Sequence, residues 1–182
     1  MSFRMFSCFC QLIDKLIQHT QTSFDAINIL YEQKFFEQSI YLSFILIDQL
    51  SWLVSKEKQK TGEYFQEWVN TYFIKFYPEI TPLEVWGSRN AKLHMNAADS
   101  STTTKHDARK LIFIYEINNS QNLNSENSLE DFYVVNAHHF LSVALKNAVE
   151  IFFNNFDKLN EETINLFEKR LSSKFLIRST FY

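Results

Sequence analysis

The sequence predicts a mainly α fold: a helical bundle forming one domain over residues 1–182, with a small β-hairpin inserted near residues 110–135. Three observations carry this. Apolar residues recur at three- and four-residue spacing over most of the chain, as one face of a helix requires. Only Lys110–Ile117 and Phe132–Val135 change to a β-branched and aromatic composition. With nearly half its residues apolar and 19 phenylalanines among 182 residues, the chain is long enough to bury a real core.

The elements follow in order. From Cys10 to about Gln33, Leu12, Ile13, Leu16 and Ile17, then Phe24, Ile27, Leu30 and Tyr31, keep helical spacing around a polar His19-Thr20-Gln21-Thr22 break. This predicts one or two packed helices, with His19 at a surface or boundary. Phe36 to Lys56 is the longest helix. Its apolar seams lie on two faces, Phe36, Ile40, Ile47, Leu50 and Val54 on one and Leu42, Leu46 and Leu53 on another, which places it near the middle of a bundle. Ser55 to Gly62 reads as a surface connection, and Glu63 to Phe76 as a helix that Tyr77-Pro78 stops.

The next helix has the clearest start in the chain. Thr81 caps it, Pro82 fits the first position without losing a hydrogen bond, and Glu84 completes a Thr-x-x-Glu capping box with Ile80 and Val85 at staple positions. It closes near Met95-Asn96. Residues 97–107 are small and polar and read as a loop. Lys110–Ile117 and Phe132–Val135 read as the two strands of the hairpin, joined by an asparagine-serine tract; a helix over Ala108–Ile117 is the competing reading. Asn136 then caps an amphipathic helix running to about Asp157, and Asn160 caps a shorter one through Leu171. The tail from Ser173 reads as loosely docked.

Composition narrows the function. Two glycines, Gly62 and Gly87, exclude a Walker loop, a dinucleotide fingerprint and a nucleophile elbow. Cys8 and Cys10 cannot form a disulfide framework or a four-ligand zinc site, and read as packing residues of an intracellular, cytoplasmic protein. None of the five histidines has metal spacing, so no metal and no cofactor is expected. The longest apolar run, Ile40–Val54, contains Asp48 and Gln49 and is too short to span a bilayer; residues 1–17 show no cleavage site, so neither a membrane span nor a signal peptide is expected. The net charge is −3, but Arg89, Lys92, Lys105, Arg109 and Lys110 against Asp99 and Asp107 make one segment +3 in a chain whose remainder is −6. That asymmetry suggests one anion-facing site on an acidic body.

The candidate chemistry lies on the well-capped helix, in Arg89-Asn90-Ala91-Lys92-Leu93-His94. On an α-helix Asn90 and His94 share a face, whereas Arg89 and His94 diverge by roughly 140°, so that only the reach of the arginine brings guanidinium and imidazole to one ligand. Asp48, inside the apolar middle helix, either points to solvent at the helix edge or meets a partner such as Arg89.

This segment resembles the signature of the HEPN family, an arginine followed by a polar residue and then a histidine after four to six positions. The likeness extends to the middle-helix segment Phe36-Glu37-Gln38-Ser39-Ile40-Tyr41-Leu42-Ser43-Phe44-Ile45-Leu46-Ile47-Asp48-Gln49-Leu50-Ser51, and Trp86-Gly87-Ser88 leads into the motif itself. The resemblance implies an up-and-down helical bundle acting as a metal-independent endoribonuclease, often a toxin or phage-defence effector, that works as a homodimer with its motif helices facing each other. It implies catalytic roles for Arg89, Asn90 and His94 on RNA, substrate-binding roles for Ser88, Lys92 and Asp48, and a possible cognate antitoxin or effector complex as partner. Two other readings stand beside it. One is a noncatalytic bundle of the same family, a partner-binding or scaffold subunit in which His94 is only structural; the other is a helix-turn-helix DNA binder, for which no basic recognition helix is visible.

Overall fold

The computed structural model describes residues 3–95, 108–115, 128–129 and 131–175. The loop expected at 97–107, with Lys105 and His106, the body of the asparagine-serine tract, the packing of Cys8 and Cys10, and the tail beyond Phe175 lie outside the described residues and side chains. What is described is mainly helical, with one small sheet.

Helix α1 (Phe3–Glu32) is continuous, so the expected break at His19–Thr22 is absent. Polar side chains there bond back onto the helix instead of opening it. Thr22 Oγ1 donates to the Gln18 carbonyl at 2.9 Å and Ser23 Oγ to the His19 carbonyl at 3.0 Å. The His19 ring meets the Gln49 side-chain oxygen of α2 (Phe36–Leu53) at 3.1 Å. Helix α2, expected to be the longest and to reach Lys56, ends at Leu53 and is shorter than α1; it buries Ile40, Leu46, Ile47, Leu50 and Leu53 of its two apolar seams, and Phe44 as well.

Helix α3 (Thr61–Trp68) passes into a π turn, Val69–Phe73, and a 3-10 turn, Ile74–Phe76, before Pro78. Helix α4 (Pro82–Asn90) starts where the capping box requires: Glu84 N–H donates to Thr81 Oγ1 at 3.2 Å and Thr81 N–H to Glu84 Oε2 at 2.6 Å. It continues as a π turn over Ala91–Met95.

Strands β1 (Lys110–Ile114), β2 (Ser128–Leu129) and β3 (Phe132–Asn136) form a sheet in the order β1-β3-β2. The strands lie near their expected positions, which removes the helical alternative over residues 108–115. Their pairing differs from the expected hairpin. β1 runs parallel to β3, Lys110 opposite Phe132 and Ile114 opposite Asn136, and the antiparallel neighbour of β3 is β2. The connection between β1 and β3 exceeds the dozen or so residues that a parallel crossover needs, so the same two strands are free to align in either direction.

Asn136 Oδ1 accepts from the His139 N–H at 3.0 Å, and the chain continues through a π turn, His139–Leu145, into α5 (Lys146–Asn154). After a 3-10 turn, Asn160 Oδ1 caps α6 (Glu161–Phe175) by accepting from Thr163 N–H at 2.8 Å. Phe140 gathers the core. Its ring lies 4.9 Å from Phe73, 5.2 Å from Phe113 and 6.0 Å from Phe44, joining α2, the α3 extension, β1 and the His139–Leu145 turn. Each ring so buried contributes about 2–3 kcal/mol of apolar burial.

Two ties hold the sheet to the helices beside α4. Arg109 donates through Nε to buried Glu84 at 2.6 Å and through Nη2 to the Glu79 carbonyl, linking the start of β1 to the start of α4. Tyr31 donates its hydroxyl to the Tyr115 carbonyl at 2.9 Å, linking the end of β1 to α1. No helix among the described residues is long and apolar enough to cross a membrane.

Candidate functional site

The capping box sets the register of α4 and hence the direction of Arg89, whose side chain reaches α2. Its Nε donates to Asp48 Oδ2 at 2.9 Å and its Nη2 to the same oxygen at 2.5 Å, with Oδ1 3.3 Å from Nε, so one edge of the guanidinium converges on the carboxylate. The side chains of Arg89 and Asp48 are 13% and 19% exposed. Burial pushes the Asp48 carboxyl above its ordinary range, while the Arg89 hydrogen bond and charge, and then the His94 charge, pull it back. Of the two settings open to Asp48 from the sequence, the structure has the one with the arginine.

The other edge of the guanidinium faces its own helix. Arg89 Nη1 donates to Asn90 Oδ1 at 3.1 Å and lies 2.9 Å from His94 Nε2. This closeness corrects the splay of roughly 140° expected from α geometry. The chain leaves α geometry at Ala91 for a π turn, whose i→i+5 hydrogen bonds bring a residue back near the one five positions earlier. Arg89 stands in the last turn of α4 and His94 inside the π turn, so the change of winding between them, together with the reach of the arginine, brings the two side chains together. Arginine and histidine of one chain therefore meet without help from a second copy.

A guanidinium has only donors, so in this contact Nε2 of His94 is the acceptor, as it is in the tautomer that carries its proton on Nδ1. His94 is exposed; Arg89 and Asn90 are partly buried beside it. The arrangement offers a basic nitrogen at the surface with a fixed cation at its side, which is what proton removal next to a growing negative charge requires.

The remaining expected residues fall elsewhere. Ser88 is buried, 2% exposed, on the inner side of α4. Lys92 Nζ donates to Glu37 Oε1 at 3.0 Å, and Glu37 also accepts from the Tyr41 hydroxyl at 3.0 Å. The lysine hydrogen bond holds the Glu37 carboxyl below its usual range, against the effect of burial. Arg109, counted in the positive segment, is committed to Glu84. Arg89, Lys92 and Arg109 of that segment are thus each engaged by a carboxylate of the fold.

Sequence reasoning missed Trp86. Its ring lies under the Arg89 guanidinium, 5.0 Å from centroid to Cζ, and the signal was present, since positions three apart are neighbours on a helix surface. His138 and His139 pack against Tyr31 and Tyr77, with ring centroids 5.8 and 4.9 Å apart, and do not join the site. Among the described residues no group of three or more histidine, cysteine or acidic side chains is placed to hold a metal.

Two cavities lie away from Arg89 and His94. One, of about 400 Å³, runs between α1 and the helix after Asn136, past Thr20, Phe24, Leu141 and Val149. The other, of about 250 Å³, lies among α2, α3 and the start of α6, beside Ser51, Trp68 and Asn160. Comparison with known proteins finds no matching family model, no matching curated protein and no matching solved structure.

Proposed function

We propose that this chain is a metal-independent endoribonuclease of HEPN type, with His94 as the base and Arg89 as the electrostatic partner. One observation supports the reading above all: Arg89 Nη1 lies 2.9 Å from Nε2 of an exposed histidine, on a guanidinium that Asp48 aligns. RNA carries its own nucleophile. The neutral imidazole takes the 2′-hydroxyl proton as that oxygen bonds to phosphorus, the bond to the 5′-oxygen breaks, and this oxygen takes a proton from solvent or from the imidazole of a second copy. The products are a 2′,3′-cyclic phosphate and a 5′-hydroxyl. Arg89 moves from His94 onto a nonbridging oxygen as charge grows there, a role suited to its planar fork. Asn90 orients Arg89 from the side, and Asp48 keeps its position, acting on the substrate only through the arginine. A homodimer with facing motif helices, in a cytoplasmic toxin or defence setting with a cognate antitoxin, belongs to the same reading.

A surface position for the histidine suits a long polyanion better than a small substrate. The second reading, a noncatalytic bundle acting as a partner-binding or scaffold subunit, draws on a different observation. Arg89 is 13% exposed and already satisfied by Asp48, Asn90 and His94, as a structural arginine would be. Incubation of the purified protein with mixed-sequence RNA in chelator, beside Arg89→Ala and His94→Ala, separates the two. The nuclease reading expects 2′,3′-cyclic ends from the wild type alone; equal cleavage by all three proteins, metal-dependent cleavage or none at all removes it.

A further inference from the structure

We infer that Trp86 is a positioning residue for Arg89, seated by Gly62; this rests on the nuclease reading for its effect on rate, though not for its geometry. Asp48 meets one edge of the guanidinium, through Nε and Nη2 on a single oxygen. Such a contact fixes where the group sits along the carboxylate, and it leaves the plane free to tilt about the line joining the two groups. A contact on the face removes that freedom. Trp86 is placed to supply it, since Arg89 Cζ lies over its ring at 5.0 Å from the centroid, and tryptophan is the aromatic residue that attracts a cation best. With the tilt set, Nη1 points at Asn90 Oδ1 and at His94 Nε2.

The indole is itself confined, from the side of α3. The Phe65 ring lies 5.2 Å away at 54°. At Gly62 the backbone approaches so closely that a Cβ would stand 3.1 Å from Trp86 Cε2, 3.2 Å from Nε1 and 3.3 Å from Cζ2. That is tighter than ordinary contact, so any other residue there displaces the indole by a few tenths of an ångström. One of the chain's two glycines therefore stands where the backbone must pass the tryptophan that backs the arginine. Gly62, Trp86 and Arg89 form a line of contact from α3 to the reacting atoms, in which only the last touches substrate.

The test compares wild type with Trp86→Phe, Trp86→Leu and Gly62→Ala. Two measurements are made on each: steady-state RNA cleavage in chelator, and the NMR resonance of the Arg89 Nε–H, which a ring stacked on the guanidinium displaces. We expect Trp86→Leu to lose that displacement and to lower kcat about tenfold with little change in KM. Trp86→Phe keeps a stacking face and recovers most of the rate, and Gly62→Ala falls between them. A general loss of folding would be seen as lowered thermal stability and would not follow this order. An unmoved Arg89 resonance in Trp86→Leu, or a moved resonance with an unchanged kcat, overturns the inference. If the wild type cleaves no RNA, the nuclease reading fails, and the resonance alone decides whether Trp86 places Arg89.

Discussion

Arg89 Nη1 and His94 Nε2 stand 2.9 Å apart across a π turn, with the arginine as donor. Because only a lone pair can face that donor, the tautomer of His94 is set by its neighbour. The expected outcome is an imidazole protonated on Nδ1 in the free protein, read from two-dimensional nitrogen-proton correlation of the ring. Arg89→Ala removes the preference. An Nε2-protonated ring in the wild type would contradict the contact.

The same guanidinium predicts a strong coupling to Asp48. Arg89→Ala leaves a mostly buried carboxylate unpaired and is expected to cost about 2–4 kcal/mol, somewhat below the loss for a fully buried pair. Asp48→Ala costs less, because the arginine keeps Asn90, His94 and Trp86. The double variant should then be more stable than the sum of the two losses implies, with a coupling of about 1–3 kcal/mol in urea unfolding. Additive losses would mean that the pair contributes nothing as a pair.

The acid range separates two carboxylates by sign. The Asp48 carboxyl is raised in the fold, by burial first, so its contribution is present below its unfolded value of 3.8 and is lost as pH climbs through the higher folded value. The Glu37 carboxyl is lowered, by Lys92 first, so its contribution is present above 4.5 and is lost as pH falls. Glu37 is half exposed, and solvent screening keeps its share well under 1 kcal/mol. Asp48→Asn should therefore gain stability relative to the wild type as pH rises from about 3.8; a difference that stays flat across that range would show that Asp48 does not titrate differently in the fold.

What the sequence made legible was local chemistry. Thr81, Pro82 and Glu84 define a helix start within four residues, and Asn136 and Asn160 act as caps for the same reason: a side-chain oxygen meets a nearby backbone donor. Asp48 could be suspected of needing a cation because a carboxylate among apolar neighbours is costly. The π turn after Asn90 was not legible, since an apolar pattern read in fours looks the same until one residue is added to the turn. The direction of β1 against β3 was hidden too, because a long polar connection says nothing about which way it returns. Trp86 escaped for a simpler reason: an aromatic residue on a helix reads as core until its neighbour across the turn is known to be Arg89.

Arg109 offers a test of the fold separate from the site. Glu84 is 4% exposed and shares its carboxylate between the Thr81 N–H and Arg109. Arg109→Leu leaves that charge with one backbone donor and also frees the Glu79 carbonyl. A loss of about 2–4 kcal/mol is expected, measured by urea unfolding. Arg109→Leu with Glu84→Gln should recover part of it, since the buried charge is gone. No recovery would place the cost of the single variant in the lost contact with the Tyr133 ring, 5.2 Å from Arg109 Cζ.

Alkaline pH should loosen the joint between sheet and helices at Tyr115. Its ring stacks on Phe36 of α2, with centroids 4.8 Å apart and planes at 11°, and its carbonyl accepts from Tyr31 of α1. Burial first, then the charges of Glu37, Tyr41 and Tyr31, push its hydroxyl from 10.0 up to about 12. The neutral phenol is therefore favoured in the fold, and this contribution is complete below pH 10.0 and lost as pH rises toward about 12. Taken whole, that rise would amount to about 2.7 kcal/mol; partial solvation of the ring reduces it to about 1–2 kcal/mol. Tyr115→Phe keeps the stack and the carbonyl and removes the titration. Its stability should fall less steeply than that of the wild type in this range, followed by urea unfolding at stepped pH. Parallel profiles for the two proteins would mean that the hydroxyl titrates alike in the folded and unfolded chains, and that Tyr115 joins the elements through its ring and backbone alone.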